Sequence, residues 1–221
     1  MTLETAAVLL AAPFVGSFLE AVIDRLPAGR AILVGRCAHC QAELSTFYPI
    51  IELAALAVAL SAAWVFSGWL LLVSCGLGWT LLTAAAIDQR HFLLPDILTL
   101  PLIPAGLAVA FAIDPALLMP HLAGALAGFA AFAAIAFLYR RLRRREGLGL
   151  GDAKLLAATG AWLGWQALPG LVVVAALCLL AVALARALTG DSVSAATRIA
   201  FGGYLALAFW LVWLLGPPNL A

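Results

Sequence analysis

The chain is predicted to be an all-α, polytopic membrane protein of about eight transmembrane helices, and three features lead there. Of its 221 residues, 66% are hydrophobic and only 10% are charged, with a mean hydropathy of +1.12. A soluble domain carries about 25% charged residues, and so few polar side chains could not cover a water-facing surface. Apolar stretches near the roughly 20 residues that cross a bilayer recur along the whole length. All 12 Lys and Arg residues lie in or beside every second connection between those stretches.

The spans read at about 5–24, 49–66, 68–88, 97–113, 118–139, 152–168, 169–188 and 198–215. The first lacks a basic leader, Glu4 being its only early charge, and ends in Glu20-Ala-Val-Ile-Asp24-Arg25 rather than a small-residue cleavage site. It is therefore expected to be a retained helix and not a signal peptide. The second and third spans are expected to join at Ser67-Gly68, and the sixth and seventh at Pro169-Gly170, both turn-forming pairs. Backbone groups inside a bilayer must be satisfied internally, so runs of this length are helices. The alternation of a membrane barrel is absent. The expectation is one membrane-embedded domain over 1–221 with a short cytoplasmic loop at about 25–48.

Charge placement orients these spans. Arg25, Arg30 and Arg36 lie in the first connection and Arg90 in the third. Arg140, Arg141, Arg143, Arg144, Arg145 and Lys154 surround the fifth, and Arg186 and Arg198 flank the seventh. Even-numbered connections carry none, which predicts a cytoplasmic odd side and two external termini. A net charge of +1 argues against a nucleic-acid partner.

Carboxylates at the ends of apolar spans serve no topological purpose and cost free energy near hydrocarbon, so Glu52, Asp88, Asp96 and Asp152 need explaining. Asp88 closes the third span and Asp152 opens the sixth, so both are expected at one depth beside the cytoplasmic interface. Two acids sharing a site repel when both are ionised, and one then holds a proton. Such a pair can activate water as base and protonate a leaving amine as acid. The plainer alternative makes Asp152 a helix N-cap and Asp88 a solvated helix end. Gly147, Gly149 and Gly151 read either as a flexible turn or as bare backbone that an extended substrate can approach. No strand precedes them, so they are not a nucleotide-binding fingerprint.

These segments carry a resemblance. The stretch from Ile87-Asp88 through Leu94-Pro95-Asp96 to Pro101 resembles the first catalytic segment of the type IV prepilin peptidases. The stretch from Gly147-Leu-Gly149-Leu-Gly151-Asp152-Ala-Lys154 to Trp165 resembles their second, the GxGD segment. Residues from Phe14 to Pro27 resemble the family's first span, and those from Arg36-Cys37-Ala-His39-Cys40 to Glu52 the stretch entering its second. The resemblance implies an aspartic endopeptidase of the bacterial inner membrane, acting at the cytoplasmic face. It implies cleavage of the leader from type IV prepilins or type II secretion pseudopilins, with Asp88 and Asp152 as the catalytic pair. Gly149, Gly151 and Asp96 are the expected substrate-binding or orienting residues, and the expected partners are the precursor proteins and the lipid bilayer.

Many members of that family carry two Cys-x-x-Cys pairs in the first loop and methylate the new N-terminus with S-adenosylmethionine. Here one pair stands, Cys37 and Cys40, and Glu20 replaces the family's usual Asn. Peptidase activity is therefore expected with no cofactor, while methylation lacks its usual residues. A structural zinc needs four ligands and this loop supplies two, with His39 beside them, so no metal is expected. Cys75 and Cys178 lie within spans and read as packing residues. Trp210 and Trp213 suit an interfacial belt, Trp162 and Trp165 packing or the interface, and His91 and His121 solvated or packed positions. On residues alone, a proton-coupled transporter and a catalytically silent assembly protein stay open. Acids grouped at one interface rather than at the midplane weigh against the transporter.

Overall fold

In the computed structural model of the chain, the described residues are 3–29, 48–143, 149–189 and 200–216. They form eight α-helices: α1 (Leu3–Arg25), α2 (Tyr48–Val65), α3 (Trp69–His91), α4 (Asp96–Ile113), α5 (Leu118–Arg143), α6 (Leu150–Leu163), α7 (Leu168–Leu188) and α8 (Phe201–Leu215). Single 3₁₀ turns, Pro115–Leu117 and Trp165–Ala167, precede α5 and α7. The fold is all-α, as the apolar runs require.

Among the described residues, five helical stretches are long and apolar enough to cross a membrane: Leu3–Arg25, Trp69–His91, Asp96–Ile113, Pro115–Leu142 and Trp165–Leu188. Helices α2 and α8 are apolar but shorter. At 14 residues, α6 is about 21 Å long, against about 30 Å of hydrocarbon. Its surroundings account for this. Every residue from Asp152 to Leu163 except Lys154 is buried, so α6 is sheathed by protein along its length.

The turn between α2 and α3 falls at the expected place, with Gly68 at φ 63°. The break after α6 does not. It comes at Gly164, whose φ of 76° and ψ of 172° end the helix, five residues before Pro169. Pro169 instead occupies the first turn of α7, where its missing N–H costs no helical hydrogen bond.

The chain divides into two compact units, Met1–Ile87 and Asp88–Ala221. In the first, α1 packs on α2 and the Ser17 hydroxyl donates to the Glu52 carboxylate. Trp79 Nε1 donates to the Ala55 carbonyl at 3.0 Å and ties α3 to α2.

In the second unit α6 is the central helix, packed against α5, α4 and α8. Its approach to α5 is backbone on backbone: a Cβ on Gly160 would stand 2.2 Å from the Gly124 carbonyl carbon, and one on Gly128 would stand 2.7 Å from the Leu156 oxygen. Gly124 and Gly128 form a small-xxx-small stripe of the kind that draws membrane helices together. On the other side the Trp162 indole lies over Gly106 of α4 and donates to the Leu102 carbonyl at 2.7 Å. It also packs edge-on against Trp213, with centroids 5.2 Å apart. Trp210 and Trp213 are therefore core residues and not an interfacial belt: Trp213 is only 1% exposed. Their face of α8 turns inward because α6 needs large side chains to fill the space beside it. His121 is buried as well, its Nδ1 3.0 Å from the Ala161 carbonyl.

Candidate active site

Asp88 lies in the last turn of α3, where the chain has just entered the second unit. Its side chain is 6% exposed, and Oδ2 accepts a hydrogen bond from the Gly203 backbone N–H at 2.8 Å. That donor is free for a physical reason. The first N–H groups of a helix have no intrahelical acceptor, and α8 begins at Phe201. The same helix end carries partial positive charge, which suits a carboxylate.

Asp152 comes from the start of α6 and is 8% exposed. It is not the N-cap. Gly149 holds that position with φ −72° and ψ 143°, and Asp152 follows in the first turn. Its backbone N–H bonds the Gly149 carbonyl at 3.1 Å.

The two carboxylates meet at Gly202. A Cβ built on that glycine would lie 2.8 Å from Asp152 Oδ1 and 2.9 Å from Asp88 Oδ2. The two oxygens are thus within about 6 Å of each other, a gap one water can bridge. A Cβ on Gly202 would also stand 2.7 Å from Leu94 Cδ1, so this buried leucine forms an apolar wall beside the acids. Leu94 reaches them because the connection from α3 to α4 is tight. Phe92 adopts φ 53°, the left-handed conformation that ends a helix abruptly and that a bulky residue takes only under strain.

Of the other expected residues of this unit, Asp96 does not join the acids. Asp96 opens α4, is 57% exposed, and pairs with Lys154 Nζ at 2.6 Å instead of joining the acid pair. Gly151 touches Leu94, since a Cβ there would stand 2.8 Å from Leu94 Cβ. Gly149 is exposed, and a Cβ on it would make ordinary contact with Asp152 Oδ2 at 3.8 Å. Glu52 is paired with Ser17 in the first unit. Gly147, Cys37, His39 and Cys40 lie outside the described residues. Among the described residues, no three His, Cys, Asp or Glu side chains are grouped as a metal site.

Sequence reasoning missed Gly202 and Gly203. Glycines at the head of an apolar span carry no chemical label, and their only signal was adjacency at a helix start.

The fold and the site define an all-helical protein, rich in membrane-length apolar helices, with two buried carboxylates facing each other at one end of a helix bundle. Residues 75–185 match the type IV leader peptidase family, and residues 29–66 match the bacterial peptidase A24 N-terminal domain. The chain belongs to the type IV leader peptidase family. It is 42% identical over 187 residues to the prepilin leader peptidase/N-methyltransferase of Burkholderia pseudomallei (strain K96243), covering 84% of this chain and 60% of that protein. It is 38% identical over 185 residues to the protein of the same name from Aeromonas hydrophila, covering 83% of this chain and 63% of the relative. The chain spans about three fifths of the length of these curated relatives. No solved structure matches it significantly.

Proposed function

We propose that this chain is a membrane aspartic endopeptidase that removes the leader peptide of type IV prepilins or type II secretion pseudopilins, using Asp88 and Asp152. The observation that carries the reading is the approach of both carboxylates to Gly202, in a buried position walled by Leu94. Membership of the leader peptidase family supports the substrate class.

In this reading one carboxylate is ionised and the other holds a proton. The ionised acid takes a proton from a water as its oxygen bonds the scissile carbonyl carbon. The second acid protonates the carbonyl oxygen. Collapse of the tetrahedral adduct then breaks the C–N bond, and a carboxyl proton passes to the leaving amine. Burial strengthens each of these interactions by excluding bulk water.

The same proposal sets all eight helices across the bilayer, with both termini outside and the acids at the cytoplasmic side. It is supported by the position of the site. Asp88, Asp96, Asp152 and Gly203 all belong to helix ends at odd-numbered connections, where the basic residues also gather. A basic leader would stay inside while the apolar helix behind it lies in the membrane. The relatives' names include N-methyltransferase, but we propose cleavage alone. The sequence carries one Cys-x-x-Cys pair, Cys37 and Cys40, and has Glu20 in α1.

The test is cleavage of a prepilin-like precursor by the purified protein in detergent or nanodiscs. Asp88→Asn and Asp152→Asn are each expected to lower kcat by about 1,000-fold or more, within the range a positioned acid or base supplies. Processing that survives both single substitutions would remove the pair from the mechanism.

A further inference from the structure

Nothing in the leader peptidase reading accounts for the head of α8, yet both acids are built against it. Gly203 donates its N–H to Asp88 Oδ2, and Gly202 presents bare backbone to Asp88, Asp152 and Leu94 together. We propose that Gly202 and Gly203 are positioning residues of the acid pair: the Gly203 N–H fixes the Asp88 carboxylate, and the missing side chain at Gly202 sets the separation of the two acids. This rests on the peptidase reading for its consequence in catalysis, but not for its geometry.

The physical case is steric and electrostatic. A methyl group at Gly202 would meet three groups at 2.7 to 2.9 Å, closer than real Cβ contacts allow. Two of the three are the carboxylate oxygens, so something in the pair must move. Helix α8 is well placed to act as a fixed ledge. Its own Leu205, Ala206, Ala208, Phe209 and Trp213 are buried among neighbouring helices, which resists a shift of the helix away from a clash. A misplacement of about 1 Å in reacting groups can cost about 100-fold in rate.

Two measurements test this. In the cleavage assay Gly202→Ala should lose about 100-fold in kcat with KM little changed, and the pH profile of kcat should move. A general folding defect would scale that profile without displacing it. Gly170→Ala is the control, because a Cβ there meets nothing within 4 Å. Near wild-type kcat in Gly202→Ala would overturn the proposal. So would recovery of kcat in the double variant with Leu94→Ala, which would trace the damage to apolar crowding.

The second measurement needs no activity. In protein labelled with ¹⁵N-glycine, the Gly203 amide proton, assigned by its loss in Gly203→Ala, should move downfield as Asp88 ionises. The movement should vanish in Asp88→Asn, and a Gly203 signal indifferent to pH would overturn the hydrogen bond. If the wild-type protein cuts no precursor while the Gly203 signal titrates, the peptidase reading fails and the ledge stands.

Discussion

Lys154 and Asp96 show how much a single pair can do near a site it does not enter. Their 2.6 Å contact joins the N-terminal part of α6 to the start of α4, so it links the two segments that supply Asp152 and Leu94. Both side chains are partly solvated, at 26% and 57% exposure, and solvent screening limits the pair to about 1 kcal/mol or less. Lys154→Ala and Asp96→Asn should each lower the melting temperature slightly and cut cleavage severalfold, with the double variant no worse than either single one. A double-mutant cycle on both readouts checks this; additive losses would mean the residues act apart. At this scale the sequence marked Asp88 and Asp152 as costly, because an Asp at the end of an apolar run is rare, but it marked Glu52 and Asp96 in the same way. The N-cap reading of Asp152 failed because Leu150 and Gly151 fold into the first helical turn ahead of it and pass the cap to Gly149. Gly203 was invisible for a different reason: it acts through a backbone N–H that every residue but proline has.

Among elements, α6 carries the most weight. Its contact with α5 runs through Gly124, Gly128 and Gly160, where backbones touch without side chains between them. Gly160→Leu must force the helices apart, and a destabilisation of about 3 kcal/mol or more is expected from overpacking at a site that cannot yield. Thermal unfolding in detergent measures it. Trp162→Ala should cost about 3–5 kcal/mol, because it empties the space between Gly106 and Trp213 and leaves the Leu102 carbonyl one donor short. Trp64→Ala is the matching surface test: that ring is 92% exposed, and its loss should change stability little. The number and order of helices were readable because apolar runs and turn residues are local signals. The end of α6 was not, since an apolar stretch continues past Gly164 and only the backbone reversal at φ 76° interrupts it.

Across the described residues, apolar side chains face outward as well as inward, and several polar ones are buried. Large apolar side chains such as Leu3, Phe14, Trp64 and Leu188 point outward, while Glu20, Ser74, Thr83, Asp88, Thr99, His121, Asp152 and Thr159 are buried. Among the described residues, no buried side-chain nitrogen or oxygen lacks a hydrogen-bond partner. This is how a chain behaves when its outer solvent is lipid and polar groups must find each other inside. The proposed orientation can be tested directly. In a variant freed of its native cysteines, Cys at Arg141 should react with a membrane-impermeant maleimide only from the cytoplasmic side. Cys at Ala116, exposed on the turn before α5, should react only from the other side. Labelling of both from one face would reject the eight-span arrangement.

By itself the sequence determined the all-α class, the order of the helices and the short list of out-of-place acids to which Asp88 and Asp152 belong, because composition, apolar length and a misplaced charge are each written locally. Only the tertiary structure decided what those acids face. It paired Asp96 with Lys154 instead, turned Trp210 and Trp213 inward, and set the head of α8 beneath the pair. Those outcomes depend on which helix ends converge, and convergence is fixed by close packing between segments more than 100 residues apart, as the 115-residue separation of Asp88 and Gly203 records.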